Sequence, residues 1–145
     1  MITHHWVLAA GLMAGVCVAA TPTTNPSADA AVEAMRWKRR VLILFSPTSD
    51  DPALRAQRAI IKADAAGYAE REMTVVEMIN DQATIDGRTV AAGELRRKFA
   101  RSSDRFELVL IGKDGGVKQR ETTPLASAEL FATIDAMPMR KNEMR

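Results

Sequence analysis

Residues 41–54 read VLILFSPTSDDPAL and hold a strand, a corner and a helix start in one short stretch. Val41–Phe45 is an unbroken apolar run, typical of a central strand buried on both faces of a parallel or mixed sheet. A polar turn follows, and Asp51-Pro52 supplies the capping residue and first-turn proline of a helix. We predict that this helix runs to about Gly67, because glycine suits the left-handed position after a helix end.

The rest of the chain continues the alternation of strands and helices. We predict further strands over 73–79, 106–111 and 117–121 and further helices over 91–101 and 127–137. An irregular connection with a tight turn at Asp86-Gly87 follows the second strand, and Pro138 stops the last helix. This order, β-α-β, α, β-β hairpin, α, is that of the thioredoxin fold. It predicts an α/β domain with a four-stranded mixed sheet, helices on both faces and a charged edge strand over 117–121.

The first twenty residues differ in composition from the remainder. MITHHW precedes the apolar run VLAAGLMAGVCV, and Val18-Ala19-Ala20 has the small residues that signal peptidase accepts. We predict a signal peptide over 1–20, a flexible Thr- and Pro-rich linker over 21–35 and one domain over 36–145. The expected location is periplasmic or secreted, with no stable membrane span after cleavage. A retained anchor is the alternative, but the apolar run is shorter than the roughly 20 residues that cross a bilayer.

Cleavage of the predicted signal peptide would remove the residues that several kinds of catalysis and metal binding require. The single cysteine, Cys17, and both histidines, His4 and His5, lie in the predicted signal. Without them a domain has no thiolate for disulfide exchange or peroxide reduction and no imidazole as a general base. Zinc sites of Cys and His and the usual haem or iron-sulfur ligands are excluded likewise, so we predict no metal and no cofactor. A formal net charge of +2 gives no indication of a nucleic-acid partner.

The corner after the first strand is one candidate binding site, with Ser46, Thr48, Ser49 and Asp50 as its residues. Helix N-termini present unpaired N–H groups and a partial positive charge, so such a corner can hold an anion. Two interpretations stay open. The acidic pair Asp50-Asp51 caps the helix, or the hydroxyls form a site in which a lysine such as Lys62 activates a serine.

Four basic side chains near the carboxyl end are candidate contacts for an anion or a partner: Lys113, Lys118, Arg120 and Arg140. Turn geometry explains the glycines of KDGG without a ligand, whereas an anion-binding patch on the edge strand is the alternative. The ending MPMRKNEMR predicts either a packed tail, with Arg140 paired to Asp114 or Asp135, or a methionine-rich docking surface.

Several stretches resemble a known family. GKDGGVK at 112–118, IDAMPMRKNEM at 134–144 and RVLILFSPTSDDPALRAQR at 40–58 are similar to a bacterial family of secreted domains of unknown function. That family is related to the DUDES domains of vertebrate extracellular proteins, including sushi-repeat proteins. The resemblance spans about 37–145. It implies a thioredoxin-like fold with a distant likeness to peroxiredoxins and no established activity.

Two departures from the wider fold bear on function. Its redox members place a cysteine beside the first helix, where this chain has Ser46-Pro47-Thr48-Ser49, and SSDR at 102–105 replaces the usual cis-proline of thioredoxins.

Our leading hypothesis is an exported, non-catalytic binding or envelope-maintenance module whose partner is a protein or envelope component. The alternative is a small secreted enzyme of redox ancestry that uses Ser, Asp or Lys instead of a thiol.

Overall fold

The computed structural model describes residues 25–145, and the predicted signal over 1–20 lies outside them. The strands are β1 (Arg40–Ser46), β2 (Met73–Ile79), β3 (Gln82–Ile85), β4 (Arg88–Ala91), β5 (Glu107–Ile111) and β6 (Val117–Glu121). The helices are α1 (Ala28–Ala34), α2 (Pro52–Ala63), α3 (Ala65–Glu70), α4 (Leu95–Phe99), α5 (Ser127–Asp135) and α6 (Pro138–Glu143). Within the described range the strands form one mixed sheet in the order β4-β3-β2-β1-β5-β6.

The apolar run around Ile43 forms the centre of the sheet. β1 pairs in parallel with β2 and antiparallel with β5, and every residue of β1 is buried. Because side chains alternate along a strand, Val41, Ile43 and Phe45 enter one apolar cluster, while Leu42 and Leu44 enter the other. A strand buried on both faces is what the unbroken apolar sequence predicts.

Helices cover both faces of the sheet, as predicted. Val32 of α1 and Leu95 of α4 pack into the cluster that contains Ile43. Leu54 of α2, Tyr68 of α3 and Leu130 of α5 pack into the opposite cluster. The α/β fold class is therefore confirmed, with β6 on one edge of the sheet as expected for a charged strand.

The sheet has six strands, so the prediction of four is wrong. The predicted irregular connection forms the hairpin β3–β4, which pairs with β2 and extends that edge. The tight turn at Asp86-Gly87 is present, with φ of 49° and 76° at its two residues. Two consecutive left-handed residues are the geometry of a two-residue hairpin turn. The four-residue strands were too short and polar to show an apolar run.

Three boundaries also differ from prediction. The first helix is divided at Asp64, and Gly67 lies inside α3, not after a helix end. Helix α5 ends at Asp135, before Pro138. Pro138 occupies the first turn of α6, where a missing N–H costs nothing, so it begins a further helix beyond the one that it was predicted to stop. α4 covers only Leu95–Phe99 of the helix predicted over 91–101.

The predicted flexible linker over 21–35 is wrong for residues 28–34. These residues form α1, and Ala28 and Val32 are 0% and 8% exposed in the core. Burial of two small apolar side chains against the sheet outweighs the weak helix signal of a seven-residue segment.

Candidate functional site

The corner between β1 and α2 is closed by its own side chains. Oδ1 of Asp51 accepts hydrogen bonds from the N–H groups of Ala53 at 2.8 Å and Leu54 at 3.2 Å. Pro52, between Asp51 and Ala53, has no N–H to offer. The helix start is therefore capped by the chain itself, which is one of the two interpretations that the sequence allows.

The predicted corner residues do not converge on one point. Ser46 is 1% exposed, and its hydroxyl donates to the carbonyl oxygen of Thr48 at 2.9 Å. Thr48, Ser49 and Asp50 are exposed, and the carbonyl of Ser49 accepts a hydrogen bond from Arg58 at 2.9 Å. Within residues 25–145 no lysine bonds to Ser46, so the arrangement provides no activating base for that hydroxyl.

A denser group of charges lies at the other end of β1. Arg40 opens the strand with a side chain that is 1% exposed. Its two terminal nitrogens donate to the two carboxylate oxygens of Glu143 at 3.2 Å each, and Nη1 also donates to the carbonyl of Arg71 at 2.9 Å. A buried guanidinium is costly unless it is paired, and the carboxylate of α6 provides that partner.

A second set of ion pairs joins α6 to α3 and α5. Arg71 binds both oxygens of Asp135, at 3.0 and 2.7 Å. Arg140, 5% exposed, binds Asp135 at 3.2 Å and Glu70 at 2.6 Å, so it contacts one of the two partners predicted for it. The hydrogen bond from Arg71 holds the pKa of Asp135 below its ordinary value, against a smaller opposing effect of burial.

Lys113, on the turn between β5 and β6, completes this group. Its Nζ donates to Glu143 at 2.6 Å and to Glu72. Burial would lower the pKa of Lys113, but the two carboxylates outweigh burial and raise it. We name the assembly the terminal ion network, with these members: Arg40, Arg71, Lys113, Arg140, Glu70, Glu72, Asp135 and Glu143.

A cavity of about 210 Å³ adjoins the terminal ion network, between α6 and the β5–β6 turn. We name it the α6 cavity; its lining residues are Arg40, Gly112, Lys113, Asp114, Lys118, Met137, Pro138 and Met139. Cationic and apolar side chains therefore meet in one recess. The cations of this recess are already paired with carboxylates: Arg40 with Glu143, Lys113 with Glu72 and Glu143, and Lys118 with Asp114.

The structure places the four predicted basic side chains in three different surroundings. Lys113 and Lys118 line the α6 cavity, where Lys118 pairs with Asp114 at 2.7 Å. Arg140 belongs to the terminal ion network, and Arg120 lies elsewhere, paired with Glu107 at 2.8 Å. All four are bound to carboxylates, which leaves no open patch of unpaired charge at these positions.

Sequence reasoning missed Arg40 and Glu143. Arg40 is the single charged residue of β1, directly before five apolar residues. A charge in that position is a signal for a buried ion pair, because a strand at the centre of a sheet cannot expose its side chains to water. Glu143 lies in the distinctive ending, but nothing in the sequence identifies its partner.

In the described part of the chain, no three His, Cys, Asp or Glu side chains come together in a group suited to a metal ion. None of the helices between residues 25 and 145 is both long and apolar enough to cross a membrane.

Comparison with known proteins identifies the family. The profile of the family described as "Domain of unknown function (DUF4174)" matches residues 31–143. The chain belongs to this family. The match includes β1, the β5–β6 turn and α6, so the α6 cavity lies within the DUF4174 domain.

Two curated relatives carry a similar stretch. Coiled-coil domain-containing protein 80 of Danio rerio is 27% identical over 129 residues, which cover 75% of this chain and 15% of that protein. Sushi repeat-containing protein SRPX of Homo sapiens is 32% identical over 125 residues, which cover 81% of this chain and 27% of that protein. The DUF4174 chain thus spans about a quarter or less of the length of these relatives.

Solved structures show the fold relationship. The reduced 2-Cys peroxiredoxin of Plasmodium vivax superimposes with a TM-score of 0.52 at 15% identity, over 78% of this chain and 84% of that one. At this identity the likeness concerns the fold alone, which is thioredoxin-like and peroxiredoxin-like, as the resemblance implies.

Proposed function

We propose that this DUF4174 domain is an exported, non-catalytic binding module built on a peroxiredoxin-like scaffold. The observation that carries the proposal is the closed corner between β1 and α2. The hydroxyl of Ser46 is buried and already donates to Thr48, and Asp51 takes the hydrogen bonds of the helix start. A corner whose buried hydroxyl is engaged and whose helix start is capped supports binding elsewhere on the domain.

The other reactive side chains support the same proposal. Tyr68 is 4% exposed, and burial raises the pKa of its hydroxyl, so it stays protonated near neutral pH. Arg40, Lys113 and Arg140 are held by carboxylates. An enzyme of redox ancestry that uses Ser, Asp or Lys would need one of these groups free and next to a base.

Export and a modular role rest on separate observations. The signal-like leader over 1–20 supports transfer to the periplasm or beyond. The relatives carry the domain as a small share of a longer chain, which supports a unit that works by binding within larger proteins. A protein or envelope component is the partner class that fits an exported domain.

Turnover assays test the absence of catalysis. Protein purified from its own cells should neither consume hydrogen peroxide nor reduce insulin disulfides above the buffer rate, whereas a peroxiredoxin in parallel should do the former. Turnover that disappears in Cys17→Ser would contradict the proposal and assign a thiol mechanism. Hydrolysis of ester, peptide or phosphate substrates that is lost in Ser46→Ala or Asp50→Ala would contradict it in favour of the hydroxyl alternative.

Export is tested by intact-mass measurement on the protein recovered from fractionated cells. A chain that begins near residue 21 and is found in the periplasm or medium would support the proposal. A chain that retains Cys17 and sediments with membranes would point to the retained anchor.

A further inference from the structure

We propose that two copies of this chain associate through β4, with their β4 strands antiparallel about a twofold axis at Val90. The six strands of each copy then form one continuous sheet. The proposal concerns the assembly of the domain and does not depend on the non-catalytic role proposed above. Three observations support it: free backbone groups along β4, the low charge of this edge compared with the other, and a recess that can receive side chains of an added strand.

The outer side of β4 carries unpaired backbone groups. The N–H of Ala92 donates to the carbonyl of Asp81 at 3.0 Å, and hydrogen-bonded and non-hydrogen-bonded pairs alternate along the antiparallel pairing of β4 with β3. Thr89 and Ala91 are therefore the residues whose N–H and C=O groups point away from β3. β4 is an edge of the sheet, and no other backbone group of residues 25–145 hydrogen-bonds to these outward groups. An added strand would pair them.

The two edges of the sheet differ in their protection against such pairing. β6 carries Lys118, Arg120 and Glu121, and its register with β5 is irregular. Charged side chains and bulges are the usual means by which natural sheets prevent edge pairing. β4 reads RTVA, with Arg88 as its one charged residue and a regular register with β3. The β4 edge is therefore the one that is open to a further strand.

A cavity of about 490 Å³ lies beside the open edge. Its lining includes Pro26 and Ala31 from the α1 side and Thr89 and Val90 from β4. Ala31 and Val90 are partly buried against the apolar cluster that contains Ile43, so the cavity lies on that face of the sheet. Alternate side chains of an added strand point to this face and can enter the cavity. Backbone pairing combined with recesses for alternate side chains is the usual mode of strand addition.

A second copy of β4 is the strand that fits this edge. With the axis at Val90, Thr89 and Ala91 of each copy pair with Ala91 and Thr89 of the other, so the outward N–H and C=O groups of both strands are satisfied. Val90 faces Val90 of the second copy on the side of the cavity, a β-branched pair at the closely spaced, non-hydrogen-bonded position. Arg88 lies opposite Ala92, so no two like charges face each other. An axis at Thr89 would instead bring Arg88 of the two copies next to each other.

Sedimentation velocity tests the self-association. β4 has four residues, so the interface is short, and small interfaces give weak, reversible complexes. From about 5 μM to about 500 μM the sedimentation coefficient of the parent protein should rise from that of a monomer toward that of a dimer, as expected for a micromolar Kd. A monomer at every concentration would overturn the proposal, and so would a stoichiometry above two.

Substitutions at Thr89 separate the role of the backbone from that of the side chain. Thr89→Pro removes one outward N–H from each copy and no hydrogen bond to β3, and proline is tolerated where the N–H of an edge strand faces solvent. It should weaken dimerisation about tenfold or more, because two hydrogen bonds are lost and their acceptors are left unpaired. Thr89→Val keeps the N–H and the shape of the side chain, so this matched control should dimerise like the parent. Circular dichroism verifies that both variants are folded. Equal dimerisation of Thr89→Pro and the parent, or equal losses in the two variants, would overturn the proposal.

Cysteine cross-linking tests the register and does not depend on the folding of a proline variant. In a Cys17→Ser background, Val90→Cys places two thiols directly opposite each other at the axis, where a disulfide can form. Thr89→Cys places them diagonally, about 7 Å apart, beyond the reach of a disulfide. Mild oxidation should therefore give a disulfide-linked dimer of Val90→Cys much faster than of Thr89→Cys. Equal rates, or no cross-link in Val90→Cys, would overturn the proposed pairing.

Discussion

Arg40 is a charged side chain at the start of a strand whose seven residues are all buried. Removing a guanidinium from water costs several kcal/mol, and that cost is offset only when a carboxylate and further acceptors surround it. Glu143 supplies two contacts and the carbonyl of Arg71 a third. The Nε is buried without a hydrogen-bond partner among the described residues, so part of the cost of burying this side chain is not offset.

Glu143→Gln tests the energetic role of this pair at nearly constant volume. We expect the free energy of unfolding to fall by about 2 kcal/mol, less than for a fully buried pair because Glu143 is 25% exposed. Urea denaturation near neutral pH measures the loss. Glu33→Gln removes a carboxylate from the exposed pair with Arg36 and should change stability by less than about 0.5 kcal/mol. Equal losses in the two variants would show that burial of Arg40 is not the cause.

Gly67→Ala tests a close contact between α3 and α5. A Cβ at this position would lie 2.6 and 2.8 Å from two ring carbons of Phe131. That ring is held between Tyr68, at 5.1 Å between ring centroids, and Arg71, at 4.1 Å from the ring centroid. We expect a loss of about 1–2 kcal/mol in unfolding free energy, although alanine is the better helix former. Urea denaturation should show partial recovery in Gly67→Ala/Phe131→Leu; a more stable single variant would contradict the contact.

At the scale of elements, α6 is fastened to the sheet mainly by charge. It has six residues, too few for a helix to be stable by itself, and its buried side chain is Arg140. The terminal ion network connects it to the start of β1, to α3, to α5 and to the β5–β6 turn. A helix held in this way responds to pH more than one held by apolar contacts.

Acid should loosen this attachment. Burial alone would raise the pKa of Glu143, but Lys113 and Arg40 outweigh burial and lower it below its ordinary 4.5; the pKa of Asp135 is lowered below 3.8. A carboxylate with a lowered folded-state pKa stabilises the protein above its unfolded-state pKa, and the contribution is lost as pH falls through the folded value. The urea midpoint should therefore hold from neutral pH to about pH 5 and fall below about pH 4.5. The fall should be smaller in Glu143→Gln, and an equal fall would show that other carboxylates dominate.

At the scale of the molecule, α6 joins the last residues of the chain to its first strand. A chain that ends at Met137 would leave Arg40 without Glu143 and Arg71 without the neighbouring Arg140. We expect its melting temperature to fall by about 10 °C or more, measured by circular dichroism. A chain that ends at Glu143 keeps the network and should melt within about 2 °C of the parent. Equal melting of the two truncated chains would contradict a structural role for α6.

Strands and helices with a long apolar run or a capping motif were predicted correctly from the sequence, and elements without such a signal were missed. The run around Ile43 predicted a doubly buried central strand, and Asp51-Pro52 predicted the start and cap of α2. The hairpin β3–β4 was missed because strands of four residues contain too few apolar positions to define a face. Helix α1 was missed because its stability comes from packing Ala28 and Val32 on a distant sheet.

Among the residues of the candidate site, those with a local sequence signal were predicted and those without one were missed. Lys113 and Lys118 were identified from the charged turn, and Asp135 as a possible partner of Arg140 from proximity in the sequence. Arg40 and Glu143 share two hydrogen bonds. This pair was missed because its members are separated by 103 positions in the sequence. Nothing local to either residue indicates the other.

An α/β domain of thioredoxin-like type could be predicted from the order of apolar runs, the capping residues and the family motifs. Those signals act over a few neighbouring residues, so the sequence alone contains them. The pairing of Arg40 with Glu143, the cavity beside α6 and the free Nε exist only once β1, the β5–β6 turn and α6 come together. Ion pairs and cavities depend on distances in space, and separation along the chain does not encode those distances.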